Sequence, residues 1–396
     1  MKKTFGMMML LLVAVLMASC DKLFGGGSGM GYEVTAIAFQ EEENGDWGLM
    51  DMDGNVLVKP KFKGYVTAVT NGAFSVLNEE DSEYTLYVLD GDKPRKIGTY
   101  QDVGAFTGNL CPVTDKNNNM KYVDKEGNSP FDIKKIKGKK VVSAFNFFCG
   151  LAMVKLENDK WGYINEKGET VVPFKYADAW NFVEDLAVVY LDPQEDEGAK
   201  WGVIDTQGQM LFTKKFSEME PSAYRYYNGL MPVVNQSDGR TVLLDREGKT
   251  VKKMKEGVYV GAIYDEVFTV YDQENEKTYL MDVDGKSNLK GKYESLSYNG
   301  PLLVGSTDRK RNYLLNLDGE KLAKLPDGYV TLFEPEYKNY DNRFLVGEYE
   351  QGYKLLDGQG NEVETKADLF NVSSGYYYGA SVRMEEEEEY YEDYEE

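Results

Sequence analysis

Carboxylates and thiols are the side chains of this sequence that could carry chemistry, because its 396 residues include no His. The sequence therefore lacks the commonest general base and the imidazole metal ligand. Asp51-Met52-Asp53-Gly54 and Asp282-Val283-Asp284-Gly285 have the spacing of the start of a calcium loop. A calcium site needs six or more oxygens and a bidentate Glu, yet Lys167 and Gln207 stand at equivalent positions elsewhere. We interpret these phrases as hairpin turns and expect no metal site.

Other catalytic patterns are missing from the sequence. It has no Gly-rich phosphate loop before a helix, no Cys cluster with zinc spacing and no nucleophile elbow. Two carboxylates at the right separation could cleave a polysaccharide without His, but 67 acidic residues will form such pairs by chance. We expect no catalytic residue and no cofactor.

A recurring eight-residue phrase organises the chain. It stands at Trp47–Gly54, Trp161–Gly168 and Trp201–Gly208, beginning with Trp-Gly and ending in Asp or Asn, two variable residues and Gly. The closing glycines, used as markers, are Gly54, Gly127, Gly168, Gly208, Gly248, Gly285, Gly319 and Gly360. Their steps are 73, 41, 40, 40, 37, 34 and 41 residues, and Leu86–Gly91 lies near the middle of the first step. The sequence therefore predicts nine repeat units.

Each unit contains short apolar strands separated by Gly, Asn and Asp, with no helical period, which predicts an all-β fold. A strand such as Gly150–Val154 precedes the Trp-Gly strand, and one such as Thr170–Pro173 follows the marker Gly. The aromatic-rich stretch Tyr176–Phe182 is a candidate fourth strand.

Three or four strands per repeat favour a β-propeller-like array. Nine units exceed the usual four to eight blades, so the irregular first two could merge, or the array could stay open as a β-solenoid. Gly379–Met384 resembles the leading strand of a unit, and we expect it to pair with the N-terminal unit and close a ring.

The closing part of the phrase predicts a hairpin built on a type I turn. Asp or Asn at its first position can accept a backbone N–H two residues on, and Gly fits the left-handed position that ends the turn. The variable middle pairs, such as Thr206-Gln207, are then exposed tips.

The Trp-Gly pairs are expected to serve packing. Trp47, Trp161 and Trp201 bring large apolar rings, and Gly48, Gly162 and Gly202 allow a neighbouring chain to approach. We expect these rings to be buried between units. The alternative is a set of exposed rings that stack on sugars, which is disfavoured because most units lack the pair. The replacements are Met120-Lys121, Thr241-Val242, Thr278-Tyr279, Asn312-Tyr313 and Tyr353-Lys354.

The phrase, followed by a Val-Val-Pro strand and a Gly-Leu-Ala-x-Val strand, resembles the WG-repeat family of bacterial proteins over residues 34–384. The resemblance implies a repeat architecture and an interaction role, and it brings no catalytic residues.

The N-terminus has the pattern of an export signal. Lys2 and Lys3 precede an apolar run that is too short to span a bilayer, and Leu16–Cys20 resembles the lipobox of bacterial lipoproteins. This resemblance implies a signal peptide at 1–19, lipidation of Cys20 and a Gly-rich tether to residue 33. We expect a lipid-anchored protein of the bacterial cell envelope, in the outer membrane, with the periplasmic or surface face left open.

Two cysteines remain in the body. Cys111 and Cys149 lie 38 residues apart, on nearly equivalent strands of adjacent units. An oxidising compartment permits a disulfide, but their registers differ by three residues, so we expect two buried free thiols.

The charge excludes one class of partner. The formal net charge is −22, and the acidic tail at 385–396 holds nine acidic residues. A phosphate backbone would be repelled, so we expect no nucleic-acid partner. The tail itself is either solvated and disordered or a docking peptide for a basic surface.

These features together predict a non-catalytic, lipid-anchored scaffold that binds an envelope protein or peptide. The alternative is an envelope protein that binds or processes glycans.

Overall fold

The computed structural model describes residues 34–381, except 79, 81, 195–197, 265–266, 283, 300–301, 308–310, 326–328, 332–343, 349–351, 358 and 374–378. The expected signal peptide, Cys20, its tether and the acidic tail lie outside the described residues. All regular elements of the described part are β-strands. In this part of the chain, no helix has the length and apolar character needed to cross a membrane.

The strands fall into nine consecutive units. In units 1 to 3 they are β1 (Val34–Gln40), β2 (Trp47–Asp51), β3 (Val56–Phe62), β4 (Val69–Thr70), β5 (Ala73–Asn78), β6 (Glu83–Asp90), β7 (Lys93–Tyr100), β8 (Asp102–Val103), β9 (Cys111–Thr114) and β10 (Met120–Val123). In units 4 to 6 they are β11 (Lys135–Ile136), β12 (Lys139–Phe148), β13 (Leu151–Leu156), β14 (Trp161–Asn165), β15 (Thr170–Tyr176), β16 (Asp178–Ala179), β17 (Leu186–Gln194), β18 (Gly198–Asp205), β19 (Met210–Lys215), β20 (Met219–Pro221), β21 (Met231–Asn235), β22 (Thr241–Leu244) and β23 (Thr250–Lys253). In units 7 to 9 they are β24 (Val258–Tyr264), β25 (Val267–Asp272), β26 (Lys277–Asp282), β27 (Ser287–Tyr293), β28 (Ser295–Asn299), β29 (Leu302–Ser306), β30 (Asn312–Leu315), β31 (Lys321–Leu325), β32 (Tyr329–Thr331), β33 (Phe344–Glu348) and β34 (Gly352–Leu356). Two further strands follow, β35 (Asn371–Ser373) and β36 (Gly379–Ser381).

A complete unit is an antiparallel sheet of four strands in sequence order, as in β16-β17-β18-β19 of unit 5. Its first strand lies within the stretch Tyr176–Phe182, so the predicted fourth strand is confirmed for this unit, whereas units 3 and 9 have three strands in the described residues. The second and third strands are mostly buried, and the fourth strand is an edge that alternates between half-buried and exposed residues. The nine units and the all-β, propeller-like repeat fold are confirmed.

Each sheet buries its faces against the neighbouring sheets. Between units 5 and 6, for example, Val188 and Trp201 pack with Met231 and Val242 in one cluster of buried side chains. Isolated sheets of four short strands could not bury enough apolar surface to be stable alone, so the units depend on one another.

Strand β35 closes the array. It pairs antiparallel with β1, with Ala38 opposite Ser373 and Gln40 opposite Asn371. Unit 1 has no first strand of its own before β1 in the described residues, and β35 takes that place. The array is therefore closed rather than an open solenoid.

The expected partner of Gly379–Met384 was wrong. Gly379–Ser381 forms β36, which pairs with β12 of unit 4, and Asn371–Ser373 closes unit 1 instead. The apolar pattern of 379–384 indicated a strand but could not identify its partner. The segment that directly follows unit 9 is the one that lies beside unit 1.

The first two units share one sheet, as the irregular sequence allowed. Strand β4 of unit 2 pairs with β1 through Val34–Thr70 and Ala36–Val69, next to the stretch of β1 that β35 covers. Unit 1 is thereby bonded both to unit 2 and to the segment after unit 9.

Candidate interaction surface

Two kinds of turn lie at the same end of a complete unit, because the four strands alternate in direction. One joins the first and second strands and the other joins the third and fourth. We call this end the turn face. In unit 5 the first turn contains Glu184 and Asp185, with φ of +54° and +63°, as a type I′ hairpin requires. The second turn is Asp205–Gly208.

The Asp-x-x-Gly turns have the predicted geometry. The Oδ1 atom of Asp205 accepts N–H bonds from Gln207 at 3.0 Å and Gln209 at 2.8 Å, and the Gly208 N–H donates to the Asp205 carbonyl at 2.9 Å. Gly208 has a φ of +76°, the left-handed conformation that favours Gly. The same bonds recur around Asp51, Asp124, Asn165, Asp245 and Asp357. The side-chain oxygens of these Asp and Asn residues accept hydrogen bonds from the backbone of their own turn. They are therefore already engaged in the turn.

The marker glycines connect neighbouring units. A Cβ on Gly208 would lie 3.0 Å from a methyl group of Val172, in the fourth strand of unit 4. Gly54 lies against the Glu364 carbonyl of unit 9, which completes the circle. The other pairs are Gly127 with Ile97, Gly168 with Phe131, Gly248 with Phe212, Gly285 with Lys252, Gly319 with Leu289 and Gly360 with Leu322. Gly91 is the exception, since an added Cβ would meet nothing within 4 Å.

The second residue of an Asp-x-x-Gly turn points towards the preceding unit. Lys125 Nζ of unit 3 donates to the Asn71 carbonyl at 2.8 Å, and Asn71 lies in the type I′ turn of unit 2. Arg246 of unit 6 donates to the carbonyl of Glu184 in the equivalent turn of unit 5. The two kinds of turn therefore brace each other across the joints between units.

Glu184 is a buried carboxylate at one of these joints. Its side chain is 4% exposed. Its Oε2 accepts the N–H of Gly229 at 2.6 Å, its Oε1 accepts the N–H of Asn228, and Arg246 Nη1 lies 3.8 Å away. A buried charge needs such donors. The arrangement fixes the turn of unit 5 to that of unit 6.

The third residue of each turn points to solvent. These residues are Asp53, Glu126, Lys167, Gln207, Glu247, Asp284, Asp318 and Gln359, and all are exposed. They vary among Asp, Glu, Gln and Lys, while the backbone beneath them repeats. The turn face therefore presents a variable set of side chains, five of them acidic, on a uniform and braced scaffold.

The three signature Trp rings differ in burial. Trp201 is fully buried between units 5 and 6, and its Nε1–H donates to the Met219 carbonyl at 2.7 Å. Trp47 and Trp161 are half-buried. Trp47 packs edge-on against Tyr65 at 5.9 Å, and Lys155 Nζ lies 5.6 Å from the Trp161 ring centre. The expected burial between units is therefore confirmed for Trp201. The other two rings are only half-buried, so part of each remains exposed to solvent.

The Gly that follows each of these Trp residues has a steric cause. A Cβ on Gly48, Gly162 or Gly202 would lie 2.7–2.8 Å from a carbonyl oxygen of the fourth strand in the same sheet. The oxygens belong to Val58, Val172 and Phe212. A contact this short would force the two strands apart.

Tyr at the third position of the phrase links units by hydrogen bonds. Tyr163 donates to the Trp180 carbonyl of unit 5 at 2.6 Å, and Tyr122 donates to the Phe145 carbonyl of unit 4 at 2.7 Å. Both rings are fully buried, and burial raises the pKa of each phenol well above its ordinary value. They are therefore neutral donors and structural rather than acid–base groups.

The two cysteines of the described residues are not joined by a disulfide. Cys111 is a fully buried free thiol, so it has no bond to Cys149. Cys149 is only half-buried, in the type I′ turn of unit 4 with a φ of +51°. Within the described residues, no group of three or more acids or thiols could hold a metal ion.

One aromatic cluster was not singled out from the sequence. Trp180 stacks on Tyr224 across units 5 and 6, with ring centres 4.1 Å apart and planes at 13°. Tyr190 lies 4.7 Å from Trp180 and 4.5 Å from Phe216, and all four rings are half-buried. Trp180 has no Gly after it, so a search for the Trp-Gly phrase passes over it. Its place in an aromatic stretch was the available signal.

Comparison with known proteins identifies the repeat. The model of the WG containing repeat family matches residues 47–79, 161–192 and 201–235. Each match runs from the third strand of one unit to the second strand of the next. The sequence repeat is thus offset by half a sheet from the structural unit. No curated protein matches the chain.

Among three similar solved structures, the one with a TM-score above 0.5 supports the fold, and the fold alone. The crystal structure of the eukaryotic initiation factor has 10% identity and a TM-score of 0.57, covering 87% of this chain and 98% of that chain. The crystal structure of BamB from Moraxella catarrhalis has 15% identity and a TM-score of 0.35, covering 81% and 95%. The computationally designed Ika8 protein has 12% identity and a TM-score of 0.37, covering 83% and 99%.

Proposed function

We propose that this WG-repeat-containing protein is a non-catalytic scaffold of the bacterial cell envelope that binds a protein or peptide on its turn face. The observation that carries the proposal is the contrast within each Asp-x-x-Gly turn. Its backbone is fixed by repeated hydrogen bonds, while its third residue is exposed and varies among Asp, Glu, Gln and Lys. Rigid elements that carry variable tips are the usual design of a repeat-protein binding surface.

The rigidity of the tips favours affinity. Arg246 and Lys125 brace one turn against the next, and Glu184 anchors the type I′ turns. A surface that is already ordered loses little conformational entropy when a partner binds. The acidic residues at five of the eight tips disfavour a nucleic acid as that partner.

The proposal is tested by replacing the exposed third residues of the turns while keeping the Asp and Gly residues that form them. A variant with Glu126→Ala, Gln207→Ala and Glu247→Ala removes three exposed side chains and keeps every turn Asp and Gly. A matched control with Lys214→Ala and Lys215→Ala changes the fourth strand of unit 5, away from the turn face. We expect a pull-down from envelope extract to enrich one protein with the wild type and the control, and to lose it with the tip variant. Equal enrichment by all three proteins would refute the turn face as the site.

Anchorage through Cys20 is part of the proposal. It is supported by the lipobox resemblance and by the position of the first described strand, which starts at Val34, after the tether. Cys20→Ser should move the protein from washed membranes to the soluble envelope fraction, with an unchanged circular dichroism spectrum. Cys149→Ser is the matched control and should stay in the membrane fraction.

Glycan binding is the second candidate, and the aromatic cluster of units 5 and 6 favours it. Half-buried rings such as Trp180 and Tyr190 offer faces on which a sugar could stack. We expect a glycan array to stay blank. A strong sugar signal that disappears with Trp180→Ala, in a protein that remains folded, would replace the scaffold proposal.

A further inference from the structure

A hairpin rich in lysine lies at the start of unit 4, at the end opposite the turn face. Residues 131–140 form it, with β11 paired to the first residues of β12. Its five lysines are Lys134, Lys135, Lys137, Lys139 and Lys140. Asp132 is the one acid in this stretch, which leaves a local charge of +4 from five lysines and one acid in a chain of net charge −22.

These lysines have no countercharge in the described part of the chain. Four of the five are exposed and Lys140 is half-buried. No ion pair joins any of the five to another described residue, although pairs such as Lys155–Asp159 and Lys253–Asp238 occur elsewhere. Edge lysines commonly serve to prevent strands of different molecules from pairing. Five lysines among seven residues exceed the number needed to protect the edge of one two-residue strand.

Strand β36 leads the following chain directly to this hairpin. Ser381 pairs with Ser143, and Gly379 pairs with Phe145, so the chain runs along β12 towards Val141 and Lys140. The end of β36 is firmly held. The Ser381 N–H donates to Asp102 Oδ2 at 2.9 Å, and its carbonyl accepts Thr114 Oγ1 at 2.8 Å.

The ladder cannot continue beyond this point. Lys140 pairs with Lys135, and the Val141 N–H donates to the Lys134 carbonyl at 3.1 Å, so β11 already covers the same edge of β12. This edge of β12 is therefore already occupied where the lysine hairpin begins, close to Ser381. Glu385 follows Ser381 by four residues, a reach of at most about 13 Å, which equals the length of β12 from Ser143 to Lys139.

We propose that the acidic segment Glu385–Glu396 docks in cis on the lysine hairpin of unit 4. The segment carries nine acidic residues, and β36, which ends four residues before it, points towards five lysines that have no ion pair among the described residues. A tethered ligand binds at high effective concentration, so pairs that are weak individually can hold it there. The docked segment covers this basic surface against other anions.

The proposal is tested by zero-length carbodiimide cross-linking of the full chain, followed by peptide mass spectrometry. We expect amide bonds between the hairpin lysines and Glu385–Glu389, and almost none at Lys214 and Lys215, which serve as the control pair. The yield at the hairpin should fall by about fivefold in 0.5 M salt, because the Debye length falls to a few ångströms. Equal yields per lysine at the hairpin and at the control pair would overturn the proposal.

Two further measurements separate cis docking from its alternatives. In a mixture of heavy- and light-isotope protein, the cross-links should join peptides of the same isotope, and abundant mixed pairs would show docking between copies instead. Truncation after Met384 keeps β36 and should raise the acylation rate of the hairpin lysines several-fold, with no change at Lys214 and Lys215. An unchanged rate would mean that the segment does not cover the hairpin.

Discussion

The backbone N–H of Lys366 donates to the carbonyl of Gly54 at 2.8 Å, which joins the ninth unit to the first. The same joint holds the Glu364 carbonyl against Gly54 and continues into the pairing of β35 with β1. The first unit is thus completed by residues that lie more than 300 positions later in the sequence.

Gly54→Ala should destabilise the protein more than Gly91→Ala. Both glycines have positive φ, +83° and +66°, so each substitution costs about 1–2 kcal/mol of backbone strain. Only the Cβ at position 54 meets a neighbouring backbone, which should add about 1–3 kcal/mol. Urea unfolding followed by Trp fluorescence measures both variants. Equal losses of unfolding free energy would show that the contact between units 1 and 9 adjusts to the added methyl group.

Glu184→Gln should lower the urea midpoint clearly. The amide cannot replace both carboxylate oxygens, so one of the two backbone N–H groups of unit 6 loses its acceptor. Hydrogen bonds to a buried charged group contribute about 1.5–3 kcal/mol. Glu247→Gln is the control, because its pair with Lys249 is exposed, and the midpoint should not change. Equal urea midpoints for the two variants would contradict the role of Glu184 in fixing the turn of unit 5 to that of unit 6.

Removal of β35 should open the ring, while removal of β36 alone should not. Truncation after Leu369 deletes both strands and should lower the melting temperature by several degrees and expose unit 1 to protease. Truncation after Ser374 keeps β35, so unit 1 should stay protected, since β36 contacts units 3 and 4. Limited proteolysis, with the fragments identified by mass spectrometry, distinguishes the two truncated forms. Early cleavage in unit 1 of the longer form would contradict the assignment.

Cys111 should resist alkylation in the folded protein at any pH between 7 and 9. Burial raises the pKa of its thiol far above the ordinary value, so no reactive thiolate forms in this range. In the unfolded chain the thiol ionises near pH 8.5, so this group's contribution to stability falls as pH rises above that value. Iodoacetamide labelling read by mass spectrometry should modify half-buried Cys149 first. Comparable labelling of both residues would disprove the burial of Cys111.

The sequence was sufficient for features with a local cause. Asp205 and Gly208 determine their turn by their own bonds, and nine marker positions determine the number of units. Pairings between distant segments could not be predicted, because a strand's apolar pattern does not identify its partner, as Gly379–Ser381 shows. The burial of Trp201 and the exposure of part of Trp161 also differ within one repeated phrase. Their neighbours in adjacent units decide this difference.

The pairing of β1 with β35 also sets an order of events for the newly made chain. Ribosomes deliver the N-terminus first, so the part of the β1 edge at Ala38–Gln40 stays unpaired until Asn371–Ser373 has emerged. An unpaired strand edge is a template for pairing with other molecules. Long-range pairing is also slow, because the loop must close before contacts compensate its entropy. The first described strand is therefore among the last to be fully paired, and a chaperone that covers the free part of β1 would benefit the chain during that interval.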